Sequence, residues 1–277
     1  MFKPLIVAAP FGNYLGGDWA TRTLGTFTWH KRPPGDPEDP VQGGRIWRIM
    51  RTVRYNPFTG GWRNKIGLRN PGIKSLFEPL SRIPKRDYSQ DIISIHGFFD
   101  AEWTVLGGWA GDAKPKAVEL NLSCPNVQNV EEPVTAYAWA HDAVDNRASI
   151  IVKLPPLGHG LEQLVDQLPL DDTDILHCCN TIPSLKGGIS GKPLKNLALE
   201  GVRYLRQKFP ERRIIGGGGI RSLQDAQDML DAGADHVAVA SCLFFPWNAF
   251  WKIPRLGRHL DSASGKPASS VATNSPQ

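Results

Sequence analysis

The chain has 277 residues, room for one large α/β barrel of ~250 residues or for two small domains. With 41 % hydrophobic and 21 % charged residues it has the balance of a soluble globular protein. Its formal charge is only +5 and its Lys and Arg are scattered, so it carries no nucleic-acid stripe; a mildly positive surface that helps an anionic ligand approach fits better. No apolar run reaches the ~18 residues of a membrane span. The opening run Leu5-Ile6-Val7-Ala8-Ala9 is too short for a secretory segment, so a cytoplasmic protein is expected. The four cysteines, Cys124, Cys178, Cys179 and Cys242, form no CxxC pair, so no metal site is expected and thiols should persist.

Taken in chain order, β-rich runs recur at 5–9, 24–29, 92–96, 117–122, 149–154, 174–179, 213–216 and 237–240. Several are almost wholly apolar, as parallel strands buried on both faces should be. Helical patterns lie between the later ones. Residues 195–208 place Leu197, Val202 and Leu205 on one side; residues 223–232 gather Ala226, Met229 and Leu230 before Gly233 stops the helix. Eight strands alternating with helices predict a single-domain TIM (β/α)8 barrel over residues 1–260. Residues 30–63, with Pro33-Pro34, Pro37, Pro40 and Gly60-Gly61, read as an irregular excursion or small hairpin at one mouth. Residues 261–277, rich in Ser, Ala and Pro, read as a disordered tail. Four of the nine tryptophans fall within 19–62, either lining a mouth or packing the excursion.

Two places carry chemistry. Gly216-Gly217-Gly218-Gly219 leaves the seventh strand and enters a helix, where glycines admit a phosphate and helix N–H groups would meet it. Ala240-Ser241, at the end of the last strand, completes that cradle at the place where barrels hold phosphate. The second is Glu119-Leu120-Asn121-Leu122-Ser123-Cys124-Pro125-Asn126, running off the fourth strand at the active end of a barrel. Asn121 and Asn126 each offer a donor and an acceptor suited to a flat heterocycle, and Cys124 between them offers a thiol that accepts a proton once its pKa is tuned. A buried structural cysteine beside a proline turn would leave the same sequence.

The Asn-Leu-Ser-Cys-Pro-Asn stretch resembles the signature of the dihydroorotate dehydrogenases, and its cysteine resembles the soluble class 1 members, class 2 having serine there. The resemblance continues through Val152-Lys153-Leu154-Pro155-Pro156, Asn180-Thr181, Gly187-Gly188-Ile189-Ser190-Gly191, the glycine run and Gly233-Ala234. Upstream, Asn64-Lys65-Ile66-Gly67-Leu68-Arg69-Asn70 is similar to the family's Asn-Ser-Met-Gly-Leu-Pro-Asn segment, while residues 13–60 match poorly. It implies FMN-dependent oxidation of (S)-dihydroorotate to orotate in pyrimidine (UMP) synthesis. Cys124 would remove the C5 proton while the C6 hydride goes to flavin N5. Asn64, Asn121, Asn126, Asn180 and Thr181 would hold the ring and its carboxylate, helped by backbone at Gly67 and Leu68. Lys153 would lie at the flavin N1/O2 edge, where a cation stabilises the charge of a reduced flavin. Gly188 and Gly191 would pass close to the ribityl chain and phosphate, Gly217, Gly218, Gly219, Ala240 and Ser241 would hold the phosphate, and Ala8-Ala9-Pro10 would lie under the flavin ring.

Two departures stand out. The class 1 lysine at the end of the second strand is replaced by Gly25, and Lys65 stands where the family has serine, so Lys65 is expected to supply the missing charge at the cofactor. Only residues 182–186 separate Thr181 from Gly187, where the family has a longer insertion. Three functional readings remain open: a dihydroorotate dehydrogenase or relative acting on another dihydropyrimidine, an isomerase or lyase of a sugar phosphate, and a non-catalytic flavin binder. The resemblance further implies a homodimer or association with an electron-transfer subunit, and leaves the electron acceptor open.

Overall fold

The computed structural model describes residues 2–32, 35–36, 39–40, 52–78, 86–124 and 132–264. The chain starts with β1 (Leu5–Val7) and β2 (Thr21–Phe27), then two short strands, β3 (Gly35–Asp36) and β4 (Asp39–Pro40), and a hairpin of β5 (Val53–Asn56) and β6 (Gly61–Asn64). There follow β7 (Asp91–Ile95), α1 (Asp100–Asp112), β8 (Ala117–Asn121), α2 (Pro133–Val144), β9 (Ser149–Leu154), α3 (Leu161–Gln167) and β10 (Ile175–Cys178). The remainder is β11 (Gly188–Gly191), α4 (Lys195–Lys208), β12 (Ile214–Gly217), α5 (Leu223–Asp231), β13 (His236–Val239) and α6 (Ile253–Ser264).

Eight of these strands close into a parallel barrel in the order β1-β13-β12-β10-β9-β8-β7-β2, with β1 pairing back to β2. These are the eight strands expected, so the TIM barrel stands. The second strand begins earlier than its apolar run. Thr21, Arg22 and Thr23 are polar, yet Arg22 forks both carboxylate oxygens of Asp91 on the neighbouring strand at 2.8 Å, pairing the buried charge as the strands pair.

Helix α4 has the expected bounds, but its buried face is Ala198, Leu199, Val202 and Leu205, with Leu197 only half-buried. Ser222 caps α5, and Gly233, at φ +108°, follows its end. Helix α6 runs to Ser264, past the expected boundary at residue 260, because Leu256 and Leu260 pack on the core; residues 265–277 lie outside the described residues.

The excursion takes the form of hairpins. β5 and β6 pair antiparallel, and β11 adds to β6 as a third strand. The short 182–186 link is what permits this, since Ile182 and Ile189 exchange backbone hydrogen bonds at 2.9 and 2.8 Å and the Gly187 N–H donates to Ser184 at 3.1 Å. Trp19 is buried in the core, and Trp62 packs on Tyr55, Phe244 and Phe245, so these two fill space behind a wall; Trp47 lies outside the described residues.

Alternation along the strands divides the barrel interior into layers. Ile6, Ile92, Ala117, Ile151, Ile175, Ile215 and Ala238 form one apolar cluster. Two residues further along their strands come Ala8, Ser94, Glu119, Lys153, His177, Gly217 and Ala240. The apolar layer thus supports a polar one, and the cavity opens above it at the C-terminal ends of the strands.

Candidate active site

Two adjoining cavities occupy the C-terminal face and share Ala9, Lys153, Asn180, Thr181, Ser190, Ala240 and Ser241. One extends to Gly217, Gly218, Gly219 and Ile220; the other opens past Asn121, Cys124, Asn64, Leu68 and Arg69. They are the end expected to take a phosphate and the mouth of one continuous site.

At the phosphate end β12 runs out into Gly218 (φ +133°) and Gly219 (φ +75°), a backbone course that disfavours any side chain. The N–H groups of Gly218, Gly219 and Ser241 find no acceptor among the described residues. The start of α5, by contrast, is partly capped. Ser222 accepts from the Asp225 N–H at 3.1 Å, and the Asp225 carboxylate accepts from the Arg221 N–H and the Ser222 hydroxyl, both at 2.9 Å. Of the N–H groups expected to be free at this helix start, that of Asp225 is taken by the Ser222 cap, while those of Leu223 and Gln224 have no acceptor among the described residues. The donors on offer to an anion come from the glycine turn, from the short helix begun by Ser241 and from these two groups of α5.

The deep wall is a polar relay. Lys153 Nζ stands 3.4 Å from Glu119 Oε1, and both side chains are almost fully buried. Glu119 also accepts from Ser94 Oγ at 2.8 Å and from His177 Nδ1 at 2.7 Å. Burial opposes ionisation of Glu119, but the Lys153 charge, the His177 ring and the Ser94 hydroxyl outweigh it and hold the carboxyl at about 2. Burial lowers the His177 pKa, partly offset by Glu119, so the ring is neutral with its Nδ1 proton on the carboxylate.

The Ser94 proton is committed to Glu119, so Thr26 Oγ1 donates to Ser94 at 2.9 Å and in turn accepts from Asn121 Nδ2 at 3.2 Å. Asn121 Oδ1 accepts from Asn180 Nδ2 at 2.9 Å, and the Asn180 amide also donates to the Ser123 carbonyl at 3.0 Å while its Oδ1 accepts from Thr181 N–H at 2.9 Å. Asn180 thus acts as a strut between Asn121 and the loop after β8. Asn121 keeps one N–H and one lone pair beyond its described partners. The His96 imidazole supports it from behind, donating from Nδ1 to the Asn121 carbonyl at 2.7 Å, and burial holds that ring down to about 4.

The structure gathers most of the expected residues. Ala9, Asn64, Leu68, Asn121, Cys124, Lys153, Asn180, Thr181, Ala240 and Ser241 line the site, as do Gly217, Gly218 and Gly219. Cys124 is half-buried at the mouth, whereas Cys178, Cys179 and Cys242 are buried; burial pushes Cys242 up to about 12. Asn126 lies outside the described residues. Gly67 holds the turn beside Leu68, Gly188 sits opposite Asn64 in the sheet, and Gly191 packs its carbonyl against Gly219.

Lys65 is not brought into the site. It is exposed, lines neither cavity, and lays its stem along Gly187, because Asn64 faces inward and its neighbour on the strand must face out. No side chain fits at Gly25 either, since a Cβ there would stand 2.6 Å from the Ser94 carbonyl oxygen. Sequence reasoning missed Ser190, Arg69 and the buried His177. Ser190 stands in the quoted glycine segment and Arg69 replaces a family proline, so both were visible; the inward face of His177 needed the register of β10.

Among the described residues neither cavity is lined by an Asp or Glu. Asp174, the other strand-end carboxylate, is bound to the Tyr137 hydroxyl at 2.6 Å. An isomerase or lyase relying on a carboxylate base finds none among the described residues of this mouth.

Fold and site together define a barrel enzyme with an anion cradle at one end of its cavity and a thiol among amides at the other. The family model for dihydroorotate dehydrogenase matches residues 51–260. Over 217 residues the chain is 32 % identical to the catalytic subunit of dihydroorotate dehydrogenase B (NAD(+)) of Oceanobacillus iheyensis, covering 70 % of each chain. It is 30 % identical over 198 residues to the corresponding subunit of Thermotoga maritima, covering 65 % of this chain and 72 % of that one. To dihydroorotate dehydrogenase A (fumarate) of Limosilactobacillus reuteri it is 29 % identical over 229 residues, covering 74 % and 72 %. The chain belongs to the dihydroorotate dehydrogenase family, and is an oxidoreductase of the class acting on CH–CH bonds. No helix among the described residues is long and apolar enough to cross a membrane.

Proposed function

We propose that this protein oxidises (S)-dihydroorotate to orotate with FMN, in pyrimidine (UMP) synthesis. The observation that carries the reading is the single cavity in which Cys124, Asn121 and Asn64 at the mouth adjoin Lys153 and the Gly218–Gly219–Ser241 cradle. FMN fits the donor set. The uncommitted N–H groups suit its phosphate, Ala8, Ala9 and Ala240 leave a flat floor, and Lys153 offers a fixed cation to a ring edge. When bound, the flavin supplies a two-electron acceptor for the substrate's hydride.

The protein's own residues do the rest. Asn64 and Asn121 orient a neutral pyrimidine edge without burying a charge against it. Cys124 Sγ, at the rim where solvent can remove a proton, takes the proton from C5. Lys153 is fixed by Glu119, so it meets developing negative charge without reorganisation. The open rim is compatible with an electron-transfer partner or a second copy of the chain, and the protein works in the cytoplasm. The relatives include a dihydroorotate dehydrogenase B (NAD(+)) and a dihydroorotate dehydrogenase A (fumarate), and the acceptor follows from which of NAD(+) and fumarate oxidises the reduced protein.

The test is anaerobic addition of dihydroorotate to purified protein while the flavin bands near ~450 nm are followed. Bleaching is expected, and Cys124→Ala should slow it by roughly 10²–10⁴-fold with flavin retained. Flavin that stays oxidised overturns the substrate and leaves the cofactor. Protein without flavin overturns both.

A further inference from the structure

The mouth holds two cationic groups among its described lining residues, Lys153 and Arg69. They differ in what balances them. Lys153 faces the ionised Glu119 carboxylate inside the barrel, so its charge is already matched. The Arg69 guanidinium has no ion-pair or hydrogen-bond partner among the described residues and is exposed at the rim of the cavity.

Its backbone, unlike its side chain, is tightly fixed. Gly67 and Leu68 both have left-handed φ, +67° and +56°, a conformation that leucine rarely adopts. Buried Asn70 holds the turn from one side, donating to the Leu68 carbonyl at 2.6 Å and accepting from the N–H groups of Thr28 at 3.1 Å and Gly72 at 2.8 Å. Arg32 holds it from the other, with Nε donating to the Gly67 carbonyl at 3.2 Å and its backbone N–H to the Asn70 carbonyl at 3.0 Å. None of these contacts engages the Arg69 side chain, so the braced turn presents it, with Ile66 and Leu68, to the cavity. A strained turn braced on both flanks is a feature to explain by what it carries.

Gly25 on the facing strand offers no cation, and Lys65 points along Gly187 away from the cavity. We propose that Arg69 is the anion-anchoring residue of the mouth, its planar fork pairing with the ring carboxylate of a cyclic dihydropyrimidine acid and selecting acidic over neutral rings. The assignment rests on the flavin-dehydrogenase reading above and adds the residue that sets its specificity. It makes Arg69, from the turn after β6, the charge without a partner among the described residues that would meet the ligand.

The experiment compares full-length wild type with Arg69→Gln and Arg69→Lys. Each is titrated anaerobically with dihydroorotate and with neutral dihydrouracil, and orotate affinity is measured by calorimetry as a readout without turnover. In Arg69→Gln the KM for dihydroorotate and the Kd for orotate should rise about 10–100-fold with kcat nearly unchanged, because binding common to ground and transition states is removed. Arg69→Lys should recover part of the loss, and the salt dependence of orotate binding should vanish only in Arg69→Gln. Flavin content should stay at the wild-type level in both. Arg69→Gln with wild-type KM and Kd overturns the assignment while bleaching of the wild type by dihydroorotate keeps the reading of the site. Wild type that ignores dihydroorotate and orotate, or prefers dihydrouracil, overturns the two together.

Discussion

The phosphate end and the mouth of the cavity are built differently. At the phosphate end the contacts on offer are backbone N–H groups, shaped by glycines at left-handed φ and by small side chains from adjacent strands. At the mouth they are side chains that converge from β2, β6, the turn after it, β8 and β10. A backbone cradle depends on one short segment keeping its course. A side-chain mouth depends on many segments keeping register, and it is also where a substitution changes the ligand without disturbing the fold. Arg69, which stands where the family has proline, falls at the mouth, and Gly25 lies one residue from the mouth-lining Thr26.

The comparison is broken most forcefully through Lys153, the charged residue among those common to both ends. Lys153→Met should destabilise the protein by about 3–5 kcal/mol, since it leaves the buried Glu119 charge without its cation. Denaturant melts of flavin-free protein would show it; an unchanged midpoint would mean that Ser94 and His177 suffice for Glu119.

Acid should weaken the deep wall in two stages. His96 titrates near 4 in the folded chain against about 6.5 unfolded, so the unfolded state takes up the proton first and stability falls between those values, by about 3 kcal/mol in all. Glu119, held at about 2 against an ordinary value of 4.5, contributes stability that is present above 4.5 and lost as pH falls toward 2. Stability that is flat between about pH 7 and about pH 4 would contradict the buried, neutral state of His96.

At the mouth, Gly25→Lys restores the family residue in sequence but not in space. Its Cβ would meet the Ser94 carbonyl at φ +97°, so a loss of about 1–3 kcal/mol with no gain in dihydroorotate affinity is expected. Tighter binding would show that β2 can shift to admit the lysine. Lys65→Met should have the smallest effect, within about 0.5 kcal/mol of wild type and with normal flavin content, as suits an exposed residue outside both cavities. A marked loss of flavin would return Lys65 to the cofactor.

Much of this was legible in the chain. Apolar runs marked all eight barrel strands, with helical spacing between the later ones, because a parallel strand buried on both faces must be apolar nearly throughout. β2 was the strand drawn least well, since Arg22 enters it only by pairing with Asp91 on a strand 69 residues away. The motif around Cys124 and the glycine run named the family and the two ends of the cavity, because spacing along one strand or turn fixes what it presents. Less legible was the start of α5, where the Ser222 side chain takes the Asp225 N–H and the Asp225 carboxylate takes that of Arg221.

What the sequence determined by itself is the barrel, its glycine-lined end and the thiol beside the amides, each encoded by neighbours in the chain. Only the tertiary structure decided which charges reach the cavity. Lys65 and Arg69 stand four positions apart in one segment, yet the inward turn of Asn64 sends Lys65 outward and the braced turn at Gly67 and Leu68 carries Arg69 to the rim. A charge at the end of a flexible side chain is placed by the backbone beneath it, and that backbone is held by Asn70 and Arg32 through contacts between distant segments.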